Sequence, residues 1–147
     1  MEKIKKKTTP KRKIKSKVSV ARGKRKESIA RVSIKKGTGI IKINSTDLNV
    51  FGSRQQRQII KEPLLFAPKI SSEIDIKILV QGGGSIGQAQ AIRNAIAIGL
   101  VEYSEDKELR EIFLNRDRFM VIEDSRRKEP KKFGGRGARA RKQKSYR

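Results

Sequence analysis

Ile74-Asp75-Ile76-Lys77-Ile78-Leu79-Val80-Gln81 runs into Gly82-Gly83-Gly84, and Ser85-Ile86-Gly87-Gln88-Ala89-Gln90-Ala91-Ile92-Arg93 follows at once. Ile74, Ile76, Ile78 and Val80 fall on every second position, the period of a strand with one buried face. Beyond the glycines, Ala89, Ile92, Ile96, Leu100 and Tyr103 recur at helical spacing, which predicts a helix over about 85–103. Further Ile and Ala residues leave it only a narrow polar face of Gln90, Arg93 and Asn94.

Outward from this unit the pattern is similar. Ala30, Val32 and Ile34 alternate with Arg31, Ser33 and Lys35; Lys36-Gly37-Thr38-Gly39 is turn material, and Ile40 to Ile43 resumes. The pair reads as a β-hairpin. Ser53 with Gln56 three positions on forms a capping-box pattern opening a helix through about Ile60, and Pro63 and Pro68 bound the next segment. Ser104 can cap a further helix carrying Leu109, Ile112 and Phe113 inward, and Phe119 to Ile122 reads as a last short strand. Strands with one apolar face and helices to cover it predict an α+β fold, a small mixed or antiparallel sheet covered by helices on one face.

The charge is distributed unevenly. The chain has 147 residues, with 38 Lys and Arg against 15 Asp and Glu, a formal net charge of +23. Residues 1–26 hold a net +12 and residues 125–147 a net +10, so the stretch between them, 27–124, is left with +1. From Ser125 to Arg147 there is no Leu, Ile, Val or Met, too little apolar surface to offset the entropy of ordering. Both arms are expected to be disordered in the free protein and to order on a polyanion. Without His or Cys, the commonest general base, the commonest metal ligand and the thiol nucleophile are missing, although carboxylate chemistry stays open. No metal, cofactor or small-molecule substrate is expected. No apolar run resembles a signal-peptide core or a membrane span, so a soluble intracellular protein without a membrane partner is expected.

Gly82, Gly84 and Gly87 match G-x-G-x-x-G between strand and helix. Three readings stay open. The glycines can cradle a dinucleotide pyrophosphate, can seat an RNA phosphate on the helix N-terminus, or can let a strand turn sharply into a closely packed helix. Against the dinucleotide, no acidic residue closes a plausible next strand about 20 positions on.

Gly23-Lys24-Arg25-Lys26 leading into Ile29-Ala30-Arg31-Val32, the stretch Gly82 to Arg93, and the ending Arg139-Ala140-Arg141-Lys142-Gln143-Lys144-Ser145-Tyr146-Arg147 together resemble the ninth-protein family of the small ribosomal subunit. Asp117-Arg118 and Arg126-Arg127-Lys128-Glu129-Pro130 fit its archaeal and eukaryotic members. The resemblance covers roughly Gly23 to Arg147, so the chain divides into a basic extension (1–22), a globular RNA-binding body (23–124) and an extended basic tail (125–147). It implies an α+β fold like the second domain of the fifth small-subunit protein, with a left-handed βαβ crossover, and a place in the head of the subunit. The implied partners are small-subunit ribosomal RNA, other small-subunit proteins and, at the tail tip, peptidyl-site transfer RNA. In that tip stand Lys144, Ser145, Tyr146 and Arg147. Three departures stand out: Asn44-Ser45-Thr46 in place of a glycine-containing turn, Gly99 where alanine is usual, and Ser125 where many relatives have proline.

For ribosomal RNA the candidate residues are Lys24, Arg25 and Lys26 at the strand entrance, Arg93 on the helix, and Arg126, Arg127, Lys128, Lys131, Lys132, Arg136, Arg139, Arg141 and Lys142 in the tail. Arginine is favoured because its planar fork pairs with phosphate oxygens two at a time and stacks on bases. Phe133 either anchors the tail in the body's own core or stacks on an unpaired base, whereas Tyr146 has almost no apolar neighbours and is read as a nucleic-acid contact. Fully extended, the 23-residue tail reaches roughly 75–80 Å, several times the ~13 Å radius of a body of about 100 residues. The rival readings are a nucleotide-dependent enzyme and a DNA-architectural protein.

Overall fold

The computed structural model describes residues 18–140, 142 and 145. Five strands form one sheet: β1 (Val18–Arg25), β2 (Ser28–Lys36), β3 (Ile41–Ile43), β4 (Thr46–Asp47) and β5 (Ile74–Gln81), in the order β1-β2-β5-β3-β4. Both neighbours of β2, β1 and β5, run antiparallel to it, whereas β3 and β5 are parallel. The helices are α1 (Arg54–Phe66), α2 (Pro68–Glu73), α3 (Ser85–Ser104) and α4 (Lys107–Arg116), followed by a 3-10 turn at Arg118–Met120. The β3–α1–α2–β5 connection supplies the βαβ unit, and the fold class is the α+β one expected.

The expected hairpin between Ala30–Ile34 and Ile40–Ile43 does not form, because β5 lies between the two strands. Ile74, Ile76, Ile78 and Val80 are all buried, so this longest apolar alternation takes the centre of the sheet. Asp75 carries the Gly37–Gly39 loop across the end of β5. Its Oδ1 accepts from the backbone N–H groups of Thr38 at 2.8 Å and Ile40 at 3.2 Å. Those two N–H groups, together with Lys35, hold its carboxyl below the ordinary aspartate value against the opposing effect of burial. β1 begins at Val18, inside the segment read as basic extension; Ala21 and Gly23 face the core, while Val18 and Val20 are exposed.

The capping box at Ser53 and Gln56 opens α1 as expected, but the helix runs through Pro63 to Phe66. α4 is capped by Asp106, whose side chain accepts from Glu108 N–H at 2.9 Å; Ser104, the expected cap, ends α3. Phe119 to Ile122 is not a strand. The Asp117 side chain accepts from Phe119 N–H, and Asn94 Nδ2 donates to the Phe119 and Met120 carbonyls at 3.2 and 3.1 Å. With those carbonyls taken by Asn94, only an isolated bridge between Asp124 and Arg25 joins this segment to the sheet.

α3 packs against β1 and β2, with α1 on its flank, and the small residues of α3 permit a close approach. A Cβ on Gly23 would lie 2.3 Å from the Ala91 carbonyl oxygen, so only glycine fits. At the other end of this contact a Cβ on Gly99 would lie 2.9 Å from Ile34 Cδ1. Glycine at position 99 thus leaves room for Ile34, at a helix-propensity cost of about 1 kcal/mol relative to alanine. The Asn44-Ser45 departure is accommodated as well. Both residues have positive φ, 47° and 73°, in the turn joining β3 to β4. Asn44 also ties itself to β5 by donating to the Val80 carbonyl and accepting from its N–H. Among the described residues no helix is long and apolar enough to cross a membrane.

Candidate nucleic-acid interface

The glycine-rich turn settles part of its own reading. Gly82 and Gly83 take positive φ, 74° and 65°; a Cβ on Gly82 would meet the Glu27 carbonyl at 2.5 Å, and one on Gly83 would meet Ser28 Oγ at 2.0 Å. A Cβ on Gly87 would lie 2.9 Å from the same hydroxyl. Three of the glycines therefore let the turn press against the β1–β2 hairpin. Gly84, with open space around it, caps α3 without a side-chain hydrogen bond. The start of α3 borders an open cavity lined by Lys26, Ser85, Gln90 and Lys128. α3 leads into α4, and β5 is the last strand of the described chain, so the parallel strand a dinucleotide fold needs after the helix is missing.

Six of the candidate cations pair with the protein's own carboxylates, four of them with carboxylates of the body. Arg93 donates to Glu62 at 2.8 Å and also to Asp117. Arg25 donates to Gln90 Oε1 at 2.9 Å and to Asp124. Arg126 reaches Asp124 at 2.8 Å through its guanidinium, gives the same carboxylate its backbone N–H, and lies over the Phe119 ring at 5.3 Å. Lys24 stands 3.9 Å from Glu123. Asp124 is accordingly lowered to about 2, chiefly by the Arg126 side chain, with burial opposing and the Arg126 N–H and Arg25 adding to the shift. Burial pushes the Asp117 carboxyl up, but the Phe119 N–H and Arg93 outweigh it, and the net direction is down. Asn94, expected on the polar face, is buried beneath the 3-10 turn.

The remaining described candidates lie open. Lys26, Arg127, Lys128, Lys131 and Arg136 are exposed, Lys26 at a positive φ of 54° in the β1–β2 turn. Lys132 and Arg139 share Glu129, at 3.5 and 3.0 Å, as surface pairs of small energetic weight. Residues 125–140 form no helix or strand, and the Lys142 N–H donates to the Gly134 carbonyl at 3.2 Å, closing a loop. Phe133 is fully exposed, which removes the core-anchor reading. Ser145 is exposed; Arg141, Lys144, Tyr146 and Arg147 lie outside the described residues.

One group of cations escaped the sequence reading. Arg22, Arg31, Lys42 and Lys77 are all exposed on the sheet face opposite α3. Their signal was the polar half of each alternation, but which strands stand side by side depends on long-range pairing. An α+β body with its surplus cations on an open sheet face and an extended terminal segment has the build of a protein that binds a polyanion.

The comparisons with known proteins agree. The profile of the family described as Ribosomal protein S9/S16 matches residues 23–147. The small ribosomal subunit protein uS9 of Thermoplasma acidophilum is 48% identical over 128 residues, covering 87% of this chain and 99% of the relative. Its namesakes from Eremothecium gossypii and Halobacterium salinarum are 46% and 44% identical, over 85% of this chain and 93% and 96% of their own lengths. The chain belongs to the ribosomal protein S9/S16 family, a family of structural ribosomal proteins rather than enzymes.

Proposed function

We propose that the protein is a structural constituent of the small subunit of the cytoplasmic ribosome, where its body sits in the head on ribosomal RNA among other small-subunit proteins. In this reading the tail tip, Lys144 to Arg147, touches the transfer RNA in the peptidyl site. The observation that carries the proposal is the division of charge in the C-terminal segment. Asp124 and Arg126 are locked to the body beside Arg25, whereas Arg127, Lys128, Lys131 and Arg136 face solvent with no carboxylate partner among the described residues. A segment so anchored and so charged displaces the counterions condensed on a phosphate chain, and its affinity falls steeply with salt. Arg127, Lys128, Lys131, Arg136, Arg139, Arg141 and Lys142, with Lys132 and Lys26, are the proposed ribosomal-RNA contacts. Lys24, Arg25 and Arg126 serve chiefly to set the position of the tail, and Arg93 to tie α1 to the 3-10 turn.

Deleting Lys144–Arg147 tests the finer part. Subunit incorporation should stay normal while peptidyl-site transfer-RNA affinity drops. Unchanged affinity and unchanged translational accuracy would remove the tip from the proposal. Absence of the full-length protein from small subunits sedimented at physiological salt would remove its place in the subunit.

A further inference from the structure

The open face of the sheet carries an arrangement that the protein alone does not favour. Across β1 and β2, Arg22 is registered directly opposite Arg31; across β3 and β5, Lys42 is registered directly opposite Lys77. In an antiparallel pair such as Arg22 and Arg31, residues so placed have Cβ atoms about 4.5–5.5 Å apart, and like charges directly opposite each other destabilise a sheet. Here there are two such pairs on neighbouring rows. All four residues are exposed, and none has a carboxylate within ion-pair distance among the described residues.

The carboxylates nearest in register are engaged elsewhere. Asp75 is taken up by Lys35 at 3.9 Å and by the Thr38 and Ile40 N–H groups. Asp47, opposite Lys42 on β4, accepts from the Asn49 N–H at 2.8 Å. Residues 1–17, which precede β1, hold nine Lys and Arg against one acid, so they cannot neutralise the face either. Between the cations stand Val20 and Leu79, 68% and 55% exposed. Leu79 is in register with Arg31, and Val20 is in the row of Ser33 and Lys77. The surface thus offers unpaired cations interleaved with apolar side chains, on a rigid backbone.

We propose that this face is a second RNA-binding site, in which Arg22, Arg31, Lys42 and Lys77 neutralise the phosphates of a ribosomal-RNA strand while Val20 and Leu79 pack against its sugars or bases. The proposal rests on the RNA-binding reading above, and adds to it a surface separate from the tail and the glycine turn. Charge excludes a basic partner, and a phosphate chain removes the like-charge repulsion of both pairs at once.

The test uses the full chain with two double variants, Arg22→Ala with Arg31→Ala, and Lys42→Ala with Lys77→Ala. Each is measured for its melting midpoint and for its affinity to protein-free small-subunit ribosomal RNA over a range of KCl. Each variant should melt no lower than the parent, and for the first pair higher, since a repulsion has been removed. Each should bind RNA about tenfold more weakly near physiological salt, with the log–log salt slope reduced by roughly 1.5. Arg22→Lys with Arg31→Lys should restore most of the slope. Unchanged affinity and slope in a chain whose parent binds RNA would overturn this site alone; failure of the parent to bind would overturn the RNA reading instead. A lowered midpoint accompanying the lost affinity would make the residues structural and also sink the site. In assembled subunits, a photo-crosslinker replacing Val20 should attach to RNA; attachment to a protein would assign the face to an acidic partner.

Discussion

Arg25, Arg93 and Arg126 differ from Arg22, Arg31 and Arg136 in almost nothing that a composition count records. The first three are paired with the molecule's own carboxylates: Arg93 joins Glu62 on α1 to Asp117 before the 3-10 turn, and Arg25 and Arg126 close on one carboxylate, Asp124. The second three face water with no carboxylate partner among the described residues. A net charge of +23 therefore says that a polyanion is needed, whereas only the location of the acids says which cations are left to meet it.

Three experiments sharpen or break that division. The largest effect is expected at Arg93, whose side chain is only 16% exposed. Arg93→Ala leaves Glu62 and Asp117 with only the exposed Arg116, 3.6 Å from Glu62, as counter-charge, and should cost about 3 kcal/mol in urea denaturation. Should the variant keep its stability and lose RNA affinity instead, Arg93 belongs with the unpaired set. Next comes Arg126→Ala. Asp124 titrates at about 2, against an ordinary value of 3.8, so its contribution to stability is complete above the ordinary value and fades as pH falls through about 2. Without Arg126 the carbon-13 carboxyl titration of Asp124 should move up towards the ordinary value, stopping short because Arg25 remains, and acid unfolding should begin at a higher pH. A titration that does not move would mean that Arg126 is not the main partner. The smallest effect on stability is expected for Arg136→Ala with Arg139→Ala, within about 0.5 kcal/mol. The same pair should flatten the RNA salt slope by roughly 1.5; an unaltered slope would leave these arginines in solvent.

Much of the fold was readable because its signals are local. The alternation over Ile74–Val80 and the helical spacing from Ala89 to Tyr103 correspond to β5 and α3, and the Ser53–Gln56 capping box opens α1. What the residues did not disclose is non-local. The apparent 30–43 hairpin is interrupted because β5 pairs with both of its strands, a preference no short window contains. Phe119–Ile122 has the composition of a strand, but Asn94, some 25 residues earlier, takes two of its carbonyls. β1 is hard to see in the sequence because lysines surround it and its core face is made of small residues, Ala21 and Gly23, while Val18 and Val20 point away from the core. At the candidate interface the types of residue were legible and their availability was not. Arg93 and Arg31 look alike in sequence, and only the position of Glu62 and Asp117 separates them.

The clamp of Arg25 and Arg126 on Asp124 has a consequence for assembly. It fixes the heading of the chain at residue 126, so residues 127–140 leave the body from a set origin and in a set direction. If the body docks on ribosomal RNA as proposed, a tail contact with a second strand would be an intramolecular event at raised local concentration. Acid or a neutralising substitution at Asp124 would loosen that aim while leaving every cation of the tail in place.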